Sequence, residues 1–461
     1  MRTKYIDLID QTFDFPQDEF NLREDRLIFH GIDLMRLIEE YGTPLKFNYL
    51  PQVSNNIQRA KGWFREAMNN LGYSGSYFYS YCTKSSHFSF VLKNDVHIET
   101  SSAFDIDIVN KLLETGKLKE GSFVICNGFK PPQYIKNIAT LIDSGKVEVI
   151  PVVDNTTEIH EILAACESND IKIGIRIASE EEPKFEFYTS RLGIRYREIV
   201  PFYKAFIQDN PRVQIKMLHF FINTGINDTS YYWNELTKCL RIYSDLKKVC
   251  PTLDSLNIGG GFPIKKSLAF DFDYAYMVRE ILMQVKRVCS DNDIPEPNIF
   301  TEFGSFTVGE SGGAIFNVLH QKQQNDREKW NMIDSSFMTN LPDTWAINQR
   351  FIMLPINRWN DDYERVLLGG LTCDSDDYYN SEQHSNAIYL PKFDKNNPLF
   401  IGFFNTAEYQ ETIGGSGGHK HCLIPEPKHV LIRRDDQGKI QTELFSEEQT
   451  AQDYLRILGY Q

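Results

Sequence analysis

Apolar residues recur along this chain in two alternating patterns. Short runs rich in β-branched and aromatic residues, typical of strands, are separated by longer stretches with apolar residues at helical spacing, such as Phe104, Ile108 and Leu112. Strands that alternate with helices predict parallel βαβ units. Eight such units can close into a (β/α)8 barrel, and an open doubly wound sheet is the alternative. The eight strand-like runs are 77–82, 96–100, 123–127, 147–153, 172–178, 214–221, 255–259 and 298–302.

The pattern changes in the last third of the chain. From about residue 311 the apolar runs remain strand-like, but few stretches between them have helical spacing. This change predicts a barrel domain at 45–310 followed by a second, mainly β domain at 311–461. The leading residues 1–44, which include a short amphipathic segment, are expected to form an arm that joins the β domain. The strand-like runs of the last third are 314–320, 350–355, 365–368, 399–403 and 429–432.

Composition and charge narrow the class of protein. The 461 residues are 41% hydrophobic and 24% charged, which is ordinary for a globular enzyme. The net charge of -14 disfavours nucleic acid as a partner, because phosphate binding needs a basic surface. No apolar run approaches the roughly 20 residues that a membrane-spanning helix needs, and the first residues lack the apolar core of a secretory signal. We therefore expect a cytoplasmic enzyme that acts on a small molecule.

The cysteines predict reduced thiols. Eight Cys are scattered without a CxxC pair, which argues against a disulfide framework or a zinc site. The HisLysHis sequence at 419–421 could suggest a metal, but two His at i and i+2 without further ligands are typical of a solvated loop. We expect no metal site.

Candidate chemistry is concentrated where the eight strands end. In a (β/α)8 barrel the functional side chains lie at the carboxyl ends of the strands. Lys84 follows the first run, Glu99 lies at the end of the second, and Glu302 ends the eighth. The other polar or small residues at these ends are 127–130 after the third run, Arg176 in the fifth, the segment 219–225 with Phe221 and Thr224 in the sixth, and Gly259, Gly260 and Gly261 in the seventh.

These residue types share one chemical use. A lysine amine condenses with an aldehyde, a glycine turn brings backbone N–H groups against a phosphate, and a carboxylate keeps a pyridine nitrogen protonated. Each also has an ordinary alternative as a surface charge, a turn or a solvated carboxylate. Their joint position at one end of the predicted barrel favours the functional interpretation, a site for pyridoxal 5′-phosphate.

The same motifs, in this order, resemble those of the alanine-racemase-like (fold type III) pyridoxal-phosphate decarboxylases, which include ornithine, diaminopimelate and biosynthetic arginine decarboxylases. The matching segments include TyrCysThrLysSer, GlyGlyGlyPhePro, ThrGluPheGly and ThrCysAspSerAsp. The resemblance implies that Lys84 binds the aldehyde of the cofactor and that Glu302 holds its pyridine nitrogen. It also implies that the glycine turn and Tyr409 bind the phosphate. The further cofactor-binding positions are Glu99, Arg176, Phe221 and Thr224.

The resemblance also implies a homodimer with shared active sites. In the family, the Cys and Asp of the ThrCysAspSerAsp motif reach into the site of the neighbouring subunit. Cys373 would then protonate the substrate after CO2 has left, and Asp374 would face its cationic end. Asp343 is a second candidate for binding that cation. Asp376 and Asp377 are expected to lie in a solvated acidic loop.

Three short segments, 125–130, 341–347 and 409–414, resemble arginine decarboxylases more than ornithine decarboxylases. The predicted reaction is therefore decarboxylation of L-arginine to agmatine, a step of polyamine biosynthesis. Ornithine, lysine, a D-amino acid and diaminopimelate remain alternative substrates. A racemase, which needs an acid/base on each face of the substrate, and a non-catalytic regulator remain alternative functions.

The chain departs from the family pattern at four places. Phe221 replaces a ring-stacking His, Ser305 replaces an Arg that helps bind the phosphate, and Glu408 lies where the family has Gly. An aromatic face at Phe221 can still stack on a pyridine ring, whereas Glu408 must point away from a phosphate. Only fifteen positions separate Lys84 from Glu99, which predicts either an unusually short first barrel helix or fraying of one flanking strand.

Overall fold

A computed structural model describes residues 15–92, 95–179, 190–383 and 386–460. The chain divides into two compact units. The barrel unit comprises Ser54–Pro263 and Phe272–Thr307, and the β unit comprises the chain up to Val53, Ile264–Asp271 and the chain from Val308 onward.

Eight parallel strands form a closed barrel in the barrel unit, which confirms the predicted fold class. Each strand pairs with the next in chain order, and the eighth closes on the first through pairs such as Thr301 with Tyr79. Side chains from several strands, including Ile150, Met217 and Phe300, form one buried apolar cluster. The strands are Tyr77–Cys82, His97–Thr100, Phe123–Cys126, Glu148–Val153, Ile171–Ala178, Val213–His219, Ser255–Asn257 and Asn298–Phe303, and the short strand Ile194–Arg195 pairs with the fifth.

Helices connect the barrel strands, and the first connection differs from the others. Among its described residues the only helical segment is the 3-10 turn Thr83–Ser85, so the prediction of a short first helix is confirmed. This turn follows the first strand directly and therefore fixes Lys84 at the end of that strand. None of the helices described is both long and apolar enough to cross a membrane. The helices wholly or mainly in this unit are Leu50–Leu71, Ala103–Glu114, Pro132–Ser144, Glu158–Ala165, Tyr196–Phe206, Ser230–Lys247, Tyr274–Asp291 and Ser305–Val308.

A ten-stranded mixed sheet and a three-stranded antiparallel sheet form most of the β unit. The three-stranded sheet comprises Phe20–Arg23, Arg26–Phe29 and Ile32–Asp33. The ten strands are Leu45–Tyr49, Gly312–Gln323, Lys329–Ile333, Ile352–Pro355, Tyr363–Gly369, Tyr378–Tyr379, Ile388–Pro391, Phe400–Phe404, Lys428–Arg434 and Ile440–Ser446. The helical segments are Leu34–Tyr41, Gly309–Ser311, Phe337–Asn340, Asp343–Ala346, Gln410–Gly414, His421–Leu423 and Ala451–Ile457.

The unit boundaries differ from those predicted at 45 and 310. The sequence pattern places residues 45–53 and 264–271 in the barrel, but the structure places them in the β unit. The reason is pairing across long sequence distances: Leu45–Tyr49 pairs antiparallel with Gly312–Gln323 and parallel with Lys428–Arg434. Leu268 is buried in the apolar cluster of the same unit.

Candidate active site

Lys84 and Glu99 meet at the ends of the first two barrel strands. The Lys84 ammonium donates a hydrogen bond of 2.7 Å to Oε2 of Glu99. The Lys84 side chain is 40% exposed, whereas that of Glu99 is fully buried. The amine is therefore held by a buried carboxylate, on a side chain that is partly exposed to solvent.

A second buried carboxylate, Glu302, lies beside this pair. The side-chain amide of Asn127 donates to Oε1 of Glu99 at 3.0 Å and to both carboxylate oxygens of Glu302 at 2.9 Å. Asn257 donates to Oε1 of Glu302 at 2.6 Å, and Nε2 of His219 lies 3.4 Å from Oε2. The ends of five different strands thus place their polar side chains in one network. The sequence analysis assigned no role to Asn127, Asn257 or His219.

The pKa values of the two carboxylates are shifted in opposite directions. Burial raises the pKa of Glu99, and the nearby charge of Glu302 adds to that effect. Burial also opposes ionisation of Glu302, but attraction to His219 and Lys84 and a hydrogen bond from Asn127 outweigh it and lower the pKa of Glu302 to about 2. A pair of acids separated in this way provides one permanent negative charge and one group that can hold a proton.

The three glycines after the seventh strand pack too closely for side chains. A Cβ on Gly260 would collide with the carbonyl oxygen of Glu302, and one on Gly261 would lie 2.6 Å from Cα of Gly225. Gly259 and Gly261 also have positive φ values of 68° and 98°. The hydroxyl of the neighbouring Thr224 is buried and has no hydrogen-bond partner among the described residues. A phosphate group could accept hydrogen bonds from the backbone N–H groups of this turn and from the unsatisfied hydroxyl of Thr224.

Phe221 and Arg176 lie at the ends of the sixth and fifth strands. The Phe221 side chain packs on the glycine turn, since a Cβ on Gly259 would lie 3.1 Å from its ring. The Arg176 guanidinium lies 5.8 Å from the centre of the same ring. Phe221 remains 36% exposed, so part of an aromatic surface faces solvent in the position where the family has histidine.

These residues of the barrel unit fit pyridoxal 5′-phosphate. They supply a solvent-accessible amine, an ionised buried carboxylate, a glycine turn and an unsatisfied hydroxyl. Each of these groups matches one part of the cofactor: its aldehyde, its pyridine nitrogen or its phosphate. Ser305, at the position of the family's Arg, begins the short helix Ser305–Val308 and supplies no positive charge.

Tyr409 lies in the β unit with an unusual backbone. Its φ of 59° is in the left-handed region, which a bulky residue adopts only when its surroundings require it, and it precedes helix Gln410–Gly414. The preceding Glu408 forms an ion pair of 2.6 Å with Lys266. This pairing neutralises the carboxylate that the sequence analysis identified as unfavourable beside a phosphate.

The predicted substrate-binding residues of the β unit do not share one environment. Cys373 and Asp374 are exposed, and the Asp374 carboxylate accepts a hydrogen bond from the backbone N–H of Asp376. Asp343 is buried at the start of helix Asp343–Ala346, where Gln410 donates to its Oδ2 at 2.8 Å. Burial raises the pKa of Asp343.

The prediction that Asp377 lies in a solvated loop is wrong. Asp377 is buried, and its carboxylate accepts hydrogen bonds from the backbone N–H groups of Phe337 and Met338 and from the backbone and hydroxyl of Thr372. Its negative charge is satisfied by these donors, and it anchors the loop that carries Cys373. Asp376 is exposed, as predicted.

Comparisons with known proteins agree with the geometry of this site. The family model described as "Pyridoxal-dependent decarboxylase, pyridoxal binding domain" matches residues 66–309, more than half of the chain. The biosynthetic arginine decarboxylase of Prochlorococcus marinus subsp. pastoris is 22% identical, and the match covers 93% of this chain and 85% of that protein.

Two solved structures are similar along most of their length. The biosynthetic arginine decarboxylase SpeA from Campylobacter jejuni matches with a TM-score of 0.80 at 18% identity, covering 99% of this chain and 90% of that chain. Diaminopimelate decarboxylase from M. jannaschii, solved with L-lysine, matches with a TM-score of 0.77 at 17% identity, covering 95% and 97%. At such identities these two likenesses concern the fold.

Proposed function

Since this chain belongs to the pyridoxal-dependent decarboxylase family, we propose that it removes the α-carboxylate of L-arginine as CO2 and releases agmatine. The observation that carries the proposal is the barrel mouth, where the amine of Lys84 and the ionised carboxylate of Glu302 lie at the ends of adjacent strands. Relatives named biosynthetic arginine decarboxylase match 90% or more of the chain, which favours arginine among the basic amino acids.

The proposed cofactor is pyridoxal 5′-phosphate. Lys84 would hold its aldehyde carbon and Glu302 its pyridine nitrogen, while the backbone of 259–261, the Thr224 hydroxyl and Tyr409 would hold its phosphate. When bound, this group supplies an electron-poor ring that takes up the electron pair left behind as CO2 departs. Phe221 offers an aromatic face for the ring, and we include Arg176 and Glu99 among the residues around it.

Residues of the barrel unit would control the protonation of two groups, the pyridine nitrogen of the cofactor and the amine of Lys84. Glu302 would stay ionised and would favour a protonated pyridine nitrogen on the bound cofactor, while Asn127 and Asn257 keep its carboxylate oriented. Glu99, with its raised pKa, can take a proton from Lys84 across their 2.7 Å hydrogen bond. The amine is then uncharged and able to act as a nucleophile.

The β unit would complete the reaction. After the bond between Cα and the carboxylate breaks, the Sγ–H of Cys373 would give its proton to Cα, and the thiolate would regain a proton from solvent before the next turnover. Asp374 would pair with the guanidinium of the substrate, with Asp343 as a second carboxylate for that cation.

We also propose a homodimer in which Cys373 and Asp374 enter the site of the partner subunit. Their exposure on a loop supports this arrangement, because a general acid needs an enclosed surrounding to act selectively. A cytoplasmic location belongs to the same proposal and is supported by eight cysteines that all carry free thiols.

The experiment that tests the function is CO2 release from L-arginine, L-ornithine, L-lysine and meso-diaminopimelate in the presence of pyridoxal phosphate. We expect release from arginine, abolished by Lys84→Ala and unaffected by Lys111→Ala, which removes an exposed lysine of the same unit. A yellow holoenzyme that releases CO2 from none of these substrates would contradict the proposal.

A further inference from the structure

Three metal-binding side chains of the β unit lie together on its surface. The sulfurs of Cys373 and Cys422 are 3.4 Å apart, and these sulfurs and an imidazole nitrogen of His421 all lie within 4.8 Å of one another. All three residues are exposed. The sequence analysis did not identify this cluster, because it interpreted the segment with His421 as a solvated loop and 49 positions separate the two cysteines.

The distances suit a tetrahedral metal ion. With metal–sulfur bonds of about 2.3 Å, two thiolates on one Zn2+ lie about 3.8 Å apart, so the sulfurs need to separate only slightly. Two thiolates and one imidazole are soft donors, which favour zinc over magnesium or calcium. Three protein ligands leave a fourth position open to water or to another ligand.

The loop that carries two of the ligands has a strained backbone. Cys422 and Leu423 both have φ values of 53°, and neither is a glycine. A non-glycine residue in this conformation persists where its surroundings impose it, often at ligand-binding positions. Consecutive residues in this conformation turn Cys422 toward Cys373, whose backbone N–H lies 3.4 Å from the Cys422 sulfur.

Both ligand loops are anchored next to the ligands. Lys420 is buried, donates to Oδ1 of Asn340 at 3.1 Å and forms an ion pair with Glu426. On the other loop, the backbone and hydroxyl of Thr372 both donate to buried Asp377. The ligands are therefore exposed at their tips but fixed at their bases, as a preformed metal site requires.

We propose that Cys373, His421 and Cys422 bind a soft divalent metal ion, with Zn2+ as the expected species. A consequence, which rests on the proposed function, is that metal binding and catalysis exclude each other. A metal-bound cysteine is a thiolate, so an occupied site leaves Cys373 without the proton that it would give to Cα.

The test uses the reduced holoenzyme after removal of metals with a chelator. Zn2+ is titrated against a chromophoric competitor, and Co2+ is added separately because thiolate ligands give it intense near-ultraviolet absorption. We expect one ion per chain and thiolate–Co2+ bands. Cys422→Ser and His421→Ala should weaken Zn2+ binding by about 10-fold or more, the typical cost of disturbing even the outer shell of a metal site.

His419→Ala is the matched control, since it removes an exposed histidine two positions away and should bind Zn2+ as the wild type does. The proposal is overturned if the wild type shows no thiolate–Co2+ bands, or if Cys422→Ser retains them at full strength. A disulfide between Cys373 and Cys422 in the isolated protein that persists in mild reductant would also overturn it.

Activity measurements address the consequence separately. Zn2+ should inhibit CO2 release by the wild type and not by Cys422→Ser, each protein being compared with its own activity in the absence of metal. Full activity with the site loaded would refute the exclusion between metal and catalysis. Since metal binding is read from absorbance, failure of the decarboxylase proposal would leave the metal result intact.

Discussion

The two units of this chain present their reactive groups in opposite ways. In the barrel unit, Glu99 and Glu302 are buried and joined by the amide of Asn127. In the β unit, Cys373 and Asp374 lie exposed on a loop. The barrel groups are fixed before a ligand arrives, whereas the β-unit groups lack an enclosing environment of their own. The proposed homodimer, in which a partner subunit encloses Cys373 and Asp374, would account for that difference.

Buried charges also have different roles in the two units. In the β unit, Lys46 is buried and pairs with Glu426 at 2.7 Å, and Glu426 also pairs with Lys420. The carboxylate of Asp377 accepts hydrogen bonds from backbone N–H groups. These groups hold loops and strands in place, and removing one partner would leave an uncompensated buried charge. At the barrel strand ends, by contrast, the buried carboxylate of Glu99 holds the partly exposed side chain of Lys84, the proposed reactive amine.

The largest effect is expected from Glu302→Gln. A neutral amide cannot hold a proton on the cofactor's ring nitrogen, so kcat for arginine should fall by about 100- to 1000-fold, the typical cost of removing one preorganised electrostatic group. Glu296→Gln, just before the eighth strand begins, is the control and should retain wild-type kcat. The absorbance of the bound cofactor shows whether the variant still binds it. This distinguishes loss of the charge of Glu302 from loss of cofactor binding. A cofactor-loaded variant with full activity would show that Glu302 has no such role.

Asp374→Asn should have the next largest effect. Loss of a charge-assisted hydrogen bond to the guanidinium should lower kcat/KM for arginine by about 10- to 100-fold. L-Citrulline carries a neutral urea group, so the preference for arginine over citrulline should shrink in this variant. Asp376→Asn, which alters an exposed neighbour, serves as the control. Equal losses in the two variants would argue against specific recognition by Asp374.

Mixing two inactive variants tests whether the β unit serves a partner's site. Lys84→Ala and Cys373→Ala alone should have little activity. After subunit exchange at equal amounts, half of the dimers are mixed and each has one intact site, so activity should recover to about a quarter of the wild type. No recovery, despite exchange shown by mass spectrometry, would place Lys84 and Cys373 of one chain in the same site.

The smallest effect concerns Glu382, a buried acid to which no step of the reaction is assigned. Burial raises the pKa of Glu382 to about 8, against an ordinary 4.5. Because the folded chain binds this proton more tightly, its contribution to stability is full below about 4.5 and is lost as pH rises through about 8.

The free energy of unfolding of Glu382→Gln should therefore change less with pH than that of the wild type, by about 1 kcal/mol or more between pH 5 and 8. Denaturant unfolding at several pH values measures this, with exposed Glu443→Gln as the control. If the free energy of unfolding changes with pH in the same way in the wild type and in Glu382→Gln, then Glu382 does not contribute to the pH dependence of stability.

Much of the barrel could be predicted because each strand has a local pattern. Every predicted barrel run overlaps an observed strand, and the spacing from Lys84 to Glu99 correctly indicated a short first connection. In the β unit, Lys329–Ile333 and Ile440–Ser446 were not predicted, because their residues are mostly polar or half-exposed. Such strands form through pairing with distant neighbours rather than through local preference.

Parts of the site could not be predicted for a similar reason. His219 and Asn257 each lie between apolar neighbours in the sequence, and only closure of the barrel brings them to Glu302. The proximity of Cys373 and Cys422 depends on two loops that are far apart in sequence. Motifs identified individual residues, whereas the partners that set their protonation became visible only in three dimensions.

The most direct test of the central claim is to find the lysine that carries the cofactor. Borohydride reduction of the holoenzyme fixes pyridoxal phosphate permanently to that lysine, and mass spectrometry of the digested protein locates it. The account predicts the label on Lys84, in the turn after the first strand. A label on another lysine, such as Lys130 or Lys266, would contradict the assignment of the barrel mouth as the active site.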